Sequence, residues 1–287
     1  MKNFRAYFLL FIAVVALCSC DLAKNNKALI SEAGKALVEE LDQKDGEAWA
    51  CDVSAGAAEA DDKLVMQTSP KGTPEQILKR TGYVASYNKA TLLPNWVAWH
   101  LTAERTEGSA KRSGVDFAED TEVPEPRATD WDYYNSGYDR GHMCPAADNK
   151  WSKKAMEESF LFTNMCPQNG NLNRGDWNEM EMACRKWAKK YGDLYIVCGP
   201  ILYKGKHKTI GKNKVVVPEA FFKVVLRTGD DPQAIGFIYK NTSGNRPKDS
   251  YVNTVDEVER ITGIDFFSSL PDDVEKNVEA TADIANW

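Results

Sequence analysis

Residues 138–185 gather a histidine, two well-spaced asparagines, a glutamate and several arginines in one run, YDRGHMCPAADNKWSKKAMEESFLFTNMCPQNGNLNRGDWNEMEMACR. Charged residues are rarely buried without partners, so such a run is either solvated surface or a place where charge is used. His142 is one of three histidines in the chain, and imidazole is the side chain that exchanges a proton near neutral pH without a shifted pKa. A lone histidine is more often structural than catalytic, so the residues around it decide the reading. Asn173 offers an amide oxygen, a neutral hard ligand of the kind magnesium accepts while keeping several waters. Glu181 and Arg185 stand four residues apart, on one face of a helix. As an exposed ion pair they would contribute little.

The elements that must position these groups follow from periodicity. Trp177, Met180, Cys184, Trp187, Ala188 and Tyr191 recur at helical spacing and Gly192 follows as a stop. Asp176 with Glu179 three residues on reads as the start of that helix. Upstream, residues 83–87 and 96–101 alternate as strands do, and His100 near the end of the second is taken as a packing residue. Downstream, residues 193–202 form a short apolar strand closed by Gly199 and Pro200. Residues 220–227 and 234–240 flank a Thr-Gly-Asp-Asp-Pro turn, a hairpin signal. Residues 255–262 read as a short amphipathic helix ended by Gly263, with Asp265, Phe266 and Phe267 packing the end of the fold. There are no repeats, no GxxxxGK phosphate loop and no GxSxG elbow. About 200 residues suffice for one good core, and strands with separate helices argue an α+β fold.

The chain opens with a short basic segment ending at Arg5, then an apolar run over residues 6–17 that is too short to span a bilayer and fits a signal-peptide core. The Leu-Cys-Ser-Cys sequence at 17–20 resembles a bacterial lipoprotein cleavage box, so residues 1–19 are expected to be removed and Cys20 lipidated. Residues 20–74 are expected to hold a helix (25–41) and a flexible tether (43–73) rich in Ala, Gly, Asp and Glu. The globular domain is expected over 75–287. This implies export and anchoring to the bacterial cell envelope, with the leaflet open. Cleavage leaves 34 basic residues against 42 acidic ones, a formal charge of −8. Binding of nucleic acid by bulk charge is thereby excluded, and local charge must serve. Lys204, Lys206 and Lys208 make one basic loop, and Arg174 lies beside Asn173. Either becomes a plausible backbone contact near a phosphate-cleaving site. Five cysteines remain after loss of Cys18 and lipidation of Cys20, an odd number that leaves at least one thiol unpaired. None has zinc-site spacing.

The joint pattern of RSGVDFAED, RATDWDYYNSGYDRGH, WSKKAMEESF, TNMCPQ, LNRGDW and the Glu181–Arg185 spacing resembles the DNA/RNA non-specific endonucleases. These are the sugar-non-specific branch of the ββα-metal (His-Me finger) nucleases, which includes mitochondrial endonuclease G. The resemblance covers about residues 80–270 in the same order. It implies an α+β fold with a central, mostly antiparallel sheet, packed helices and a ββα-metal motif. By that resemblance His142 is the general base, Arg140 a phosphate or structural contact, and Asn164 a polar residue of the catalytic site. Asn173 is then the direct protein ligand of magnesium, or of manganese in its place. Glu181 orients water at the metal, Arg185 contacts the phosphate, and Arg112 is the upstream arginine. The implied activity is hydrolysis of phosphodiesters in DNA and RNA, leaving 5′-phosphate and 3′-hydroxyl ends. Nucleic acid is the implied partner, with the membrane reached through the anchor and any inhibitor protein left open. Cys144 and Cys166, each two residues after a site residue, depart from many relatives and raise the question of redox sensitivity. Two other classes stay open, a catalytically silent binding lipoprotein and a phosphodiesterase acting on small nucleotides.

Overall fold

The computed structural model describes residues 63–287. Its centre is a seven-stranded antiparallel sheet. In spatial order the strands are β1 (Gln76–Lys79), β2 (Val84–Asn88), β3 (Leu93–Leu101), β6 (Leu194–Ile201), β9 (Ala220–Arg227), β10 (Gln233–Lys240) and β11 (Val252–Asn253). Two small ribbons stand apart from it, β4 (Asp139–His142) with β5 (Met165–Gln168), and β7 (Thr209–Ile210) with β8 (Val215–Val216). The helices are α1 (Asp130–Tyr133), α2 (Lys153–Glu158), α3 (Gly170–Leu172), α4 (Asn178–Tyr191), α5 (Val255–Thr262) and α6 (Asp272–Glu279). The expected α+β architecture is therefore present, and the 220–227 and 233–240 strands pair as the turn between them implied.

Side chains alternate across a strand, and here both faces are covered, so the sheet separates two apolar clusters in place of the single core expected. On one face Trp99, Ile196, Cys198, Phe221, Val225 and Phe237 pack against Met180, Cys184 and Trp187 of α4. On the other, Trp96, Val197, Phe222, Val224 and Leu226 pack against Val255 and Val258 of α5, Phe266, Phe267 and Val278. Burying a side chain of this size contributes about 1.5–3 kcal/mol, and coverage of both faces explains why β6 and β9 read as continuous apolar runs. α5 has the bounds expected. Thr254 accepts from the Glu257 amide at its start, and Gly263 ends it in the left-handed region at φ 71°, where a side chain would be strained.

Three readings change. The site helix does not start at Asp176. Asn169 caps α3 by accepting from the Asn171 and Leu172 amides, and the chain passes into α4 through a wide turn over Asn173–Trp177, with Gly175 departing from helical dihedrals. Asp176 instead accepts from the amides of Asn245 and Arg246 and the hydroxyl of Tyr251, which ties a distant loop to the wide turn. The folded domain also begins before residue 75. Thr68 and Asp265 exchange backbone hydrogen bonds, Gln67 accepts from the Phe267 amide, and Val65 is buried, contacts that composition alone could not reveal. α6 was not anticipated, because its Asp- and Glu-rich sequence carries only Val274 and Val278 as apolar anchors. The signal, lipidation and N-terminal helix readings fall on residues 1–62, outside the described residues.

Candidate active site

Strand β4, the turn at Asn173 and Arg174, helix α4 and the segments 108–117 and 145–156 form the walls of a cavity of about 890 Å³. Its lining includes Arg112, Asp139, Arg140, His142, Asn173, Arg174, Glu181 and Arg185. The β4–β5 ribbon is built for close approach: Gly141 pairs with Cys166 across it, and any Cβ there would meet the Gln168 side chain at 2.4 Å.

His142 ends β4. Its backbone carbonyl accepts from the Trp177 indole at 3.2 Å, which fixes the ribbon to the start of α4. The ring stands perpendicular to Phe160 at 4.9 Å and tilted on Phe117 at 5.7 Å. Nε2 is sealed from solvent with no hydrogen-bond partner among the described residues, so Nδ1 is the nitrogen through which the ring meets the cavity. Burial, with the positive charge of Arg112 second, pushes the imidazole down to about 3. The ring is therefore neutral near pH 7, the form that can take up a proton.

Across the cavity, Asp139 Oδ2 accepts both from Asn173 Nδ2 at 3.0 Å and from Arg174 at 2.6 Å. The amide nitrogen of Asn173 is thus committed, and its oxygen is the atom left for a cation. Arg140 is held by Asp130 at 2.6 Å and lies over the rings of Phe117 and Tyr133. Arg112 lies over Phe160. These contacts spend part of each guanidinium on scaffolding and fix its planar fork for a phosphate.

Beneath the cavity floor lies a group of buried charges that sequence reasoning missed. Asp148, 2 % exposed, accepts from Arg185 at 2.9 Å and from the Trp99 indole at 3.1 Å. Burial pushes its carboxyl up against the pull of Arg185. Lys223 on β9 is fully buried, its ammonium 4.3 Å from the centre of the Trp177 ring and 5.1 Å from that of Trp99. Nζ has no hydrogen-bond partner among the described residues. Burial works against that charge, but the ionisable groups around it, the carboxylates of Glu181 and Asp148 among them, raise the ammonium above its ordinary range. Glu181 is half-buried on α4. Burial pushes its carboxyl up to about 7, Lys223 and Arg185 pull it down, and Asp148 adds to the push.

Asn164 differs from the reading given to it. It is fully buried, with its amide donating to the carbonyls of Cys144 and Ser159 and accepting from the Cys144 amide. Its hydrogen-bonding capacity is spent on backbone, so it clips the segment after His142 to the one before β5 and offers nothing to a substrate. Lys204, Lys206 and Lys208 do not line the cavity. Lys208 sits against the Tyr138 ring at 4.7 Å, on its flank, and within the same loop His207 pairs with Glu219. The basic residues that do line the cavity are Lys111, Arg112, Arg140, Lys150, Arg174 and Arg185. Lys111, beside Arg112, and Lys150, three residues before Lys153, were missed because local sequence does not tell which lysine of a sparse basic stretch faces the cavity. Cys144, Cys166, Cys184 and Cys198 are free, buried thiols. Burial pushes each up, Cys184 and Cys198 to about 12, which leaves them protonated and poorly reactive. His100, read as packing, stacks on Tyr195 at 4.7 Å and pairs with Asp193.

A histidine on a two-stranded ribbon shares a cationic cavity with an asparagine just before a helix and a glutamate on that helix, an arrangement consistent with the ββα-metal type of nuclease. Comparison with known proteins agrees: the family model for DNA/RNA non-specific endonucleases matches residues 61–273, and the chain belongs to that family. It is 38% identical over 206 residues to the mitochondrial nuclease EXOG of Danio rerio, covering 66% of this chain and 60% of that protein. It is 33% identical over 209 residues to human mitochondrial endonuclease G, covering 68% and 70%, and 36% identical over 222 residues to nuclease C1 of Cunninghamella echinulata var. echinulata, covering 72% and 88%. The match thus spans about 60% of the length of the EXOG relatives from Xenopus laevis and Danio rerio. Among solved structures, an EndoG/EndoGI complex superposes with a TM-score of 0.66 at 31% identity, over 69% of this chain and 87% of that one.

Proposed function

We propose that this chain is a magnesium-dependent endonuclease that hydrolyses phosphodiester bonds in both DNA and RNA, leaving 5′-phosphate and 3′-hydroxyl ends. The observation that carries the reading is a neutral His142 presenting Nδ1 to the same cavity as Asn173, Glu181 and six cationic side chains. The residues fit a magnesium ion: Asn173 has a committed nitrogen and an available oxygen, Glu181 adds a carboxylate, and an ion that keeps several waters needs few protein ligands. When bound, such an ion neutralises charge developing on the phosphate oxygens.

The chain's own residues supply the remaining steps. Nδ1 of His142 takes a proton from a water that attacks phosphorus in line with the 3′-oxygen. The P–O3′ bond breaks, the phosphate stays with the 5′ side, and the 3′-oxygen takes a proton from a cavity water. Arg112, Arg140, Arg174 and Arg185 face the phosphate and stabilise its added negative charge. Glu181 orients water, and Asp139 holds Asn173 and Arg174 in register.

The test is a gel assay on plasmid DNA and ribosomal RNA, with magnesium or manganese and with EDTA, followed by end labelling. Metal-dependent cleavage of both polymers with labelable 3′-hydroxyl ends is expected. Binding without cleavage would identify a silent binding module, and turnover confined to small nucleotides would identify a narrower phosphodiesterase. The envelope anchor through Cys20 is a separate proposal, supported by the sequence of residues 1–20. No helix among the described residues is long and apolar enough to cross a membrane. Cys20→Ser is expected to leave activity intact and release the protein from the membrane fraction, and its retention there would overturn the anchor.

A further inference from the structure

On the sheet face opposite the cavity, the ends of α5 and α6 bring together Asp256, Glu259 and Glu279, whose carboxylate oxygens lie within 4.8 Å of one another. No cation is among the influences that shape Glu259 or Glu279: besides burial, both feel the carboxylates of Asp256, Asp265 and Glu275, and Glu279 feels Glu259 as well. Surface acids often cluster without consequence, but Glu279 is not a surface acid. It is 6 % exposed, and its Oε1 has no hydrogen-bond partner among the described residues. A buried carboxylate oxygen without a donor is costly, and the charged groups that act on this one, Glu259, Glu275, Asp256 and Asp265, are all acidic. Burial and those neighbours push Glu279 up to about 8.

We infer that Asp256, Glu259 and Glu279 form a structural divalent-cation site of calcium type that staples α6 to α5. The donor set is carboxylate oxygen alone, with no nitrogen or sulfur, which selects a hard cation. Size favours calcium: its oxygens lie at about 2.3–2.6 Å, so ligands on opposite sides stand about 4.6–5.2 Å apart, against about 4.0–4.2 Å for magnesium. Carboxylate oxygens within 4.8 Å of one another lie close enough for one calcium to reach all three at its ordinary distances. One Glu259 oxygen already accepts from the Phe266 amide at 2.8 Å, so its carboxylate is oriented in advance. Asp256 lies at the exposed rim, where waters complete the coordination. Glu279 lies past residue 273, where the family match ends. None of the three lines the catalytic cavity.

The test uses the full chain after chelation, melted with increasing calcium chloride and separately with magnesium chloride. Calcium at about ten times its half-saturating concentration is expected to raise the melting temperature by roughly 3–6 °C, with magnesium much weaker. The same rise is expected in Asn173→Ala, which removes the cavity's proposed ligand. Glu279→Gln and, independently, the exposed Asp256→Asn are expected to weaken the calcium response at least about tenfold. Both are expected to retain nuclease activity in magnesium. Absence of a calcium shift in the unmodified chain would overturn the site. So would a shift that survives Glu279→Gln and Asp256→Asn, or one lost in Asn173→Ala.

Discussion

The two faces of the central sheet bury charge in opposite ways. Beneath the cavity, Lys223 and Arg185 are interleaved with Glu181 and Asp148, so each buried charge has an opposite one near it. On the outer face Glu279, Glu259 and their neighbours are all acidic. Buried charge is tolerated when paired and expensive when not. The first face is therefore complete within the protein, and the second is completed from outside. The difference also separates uses: a balanced cluster can hold side chains in place while leaving a phosphate site on top, whereas an unbalanced one makes stability depend on an ion.

The largest effect expected on the cavity face is from His142→Ala, a loss of about two to four orders of magnitude in rate with the magnesium requirement and nucleic-acid binding unchanged. Asn173→Ala should instead raise the magnesium concentration needed for half-maximal rate. Rate measured against magnesium for both variants separates base from ligand, and a His142→Ala variant that shifts only the magnesium requirement would sink the mechanism.

Next in size is Lys223→Met, which strikes the balance itself. Removing one partner of a buried charge cluster costs about 3–5 kcal/mol, to be read in urea melts. A merely structural lysine would change nothing else. A positioning one, which holds Glu181 below the value burial alone would give it, should also move the acid limb of the pH–rate profile upward. An unchanged profile in the surviving folded fraction would confine Lys223 to packing.

The pH dependence of stability should have opposite sign for His142 and for Glu279. His142 is depressed to about 3 from about 6.5 unfolded. Between those values the unfolded chain binds the extra proton, so this contribution is present above pH 6.5 and lost as pH falls towards 3. Glu279 is raised to about 8 from about 4.3 unfolded. There the folded chain binds the extra proton, so in chelated protein stability falls as pH rises from 4.3 through 8. Melts across pH should show a flattened alkaline side in Glu279→Gln and an unchanged acid side. The smallest effect concerns salt. Lys111→Ala and Lys150→Ala should each lower the steepness of the log rate against log salt by about one unit, and Lys204→Ala by less. Equal changes would bring the outer loop back into the binding surface.

The sheet, its hairpin and α5 were legible because apolar runs and turn residues act locally. The site was legible in part for a different reason: DRGH, LNRGDW and the Glu181–Arg185 spacing form a recognisable set. Asp139, the first letter of that run, could have been found there. Lys223 could not, since in FFKVVL a lysine on an apolar strand gives no sign of the Trp99 and Trp177 rings that will enclose it. Asn164 misled because a buried amide serving backbone and one serving substrate look alike in sequence. Asp176 misled because its carboxylate serves residues 245–251, and long-range partners leave no local trace.

The wide turn over Asn173–Trp177 sets the phase of the helix. In an unbroken α-helix, eight residues advance the helix by about 80° beyond two full turns, which would put Asn173 and Glu181 on different faces. The kink at Gly175, whose dihedrals leave the helical region, frees the two halves from that phase, so Asn173 and Glu181 line the same cavity while the stripe of Met180, Cys184 and Trp187 keeps its own phase against the sheet. Packing and chemistry are thereby set independently on the two sides of one kink. Straightening the chain at Gly175 into regular helix without shortening it would leave the buried stripe intact and turn the two halves of the site about 80° away from each other.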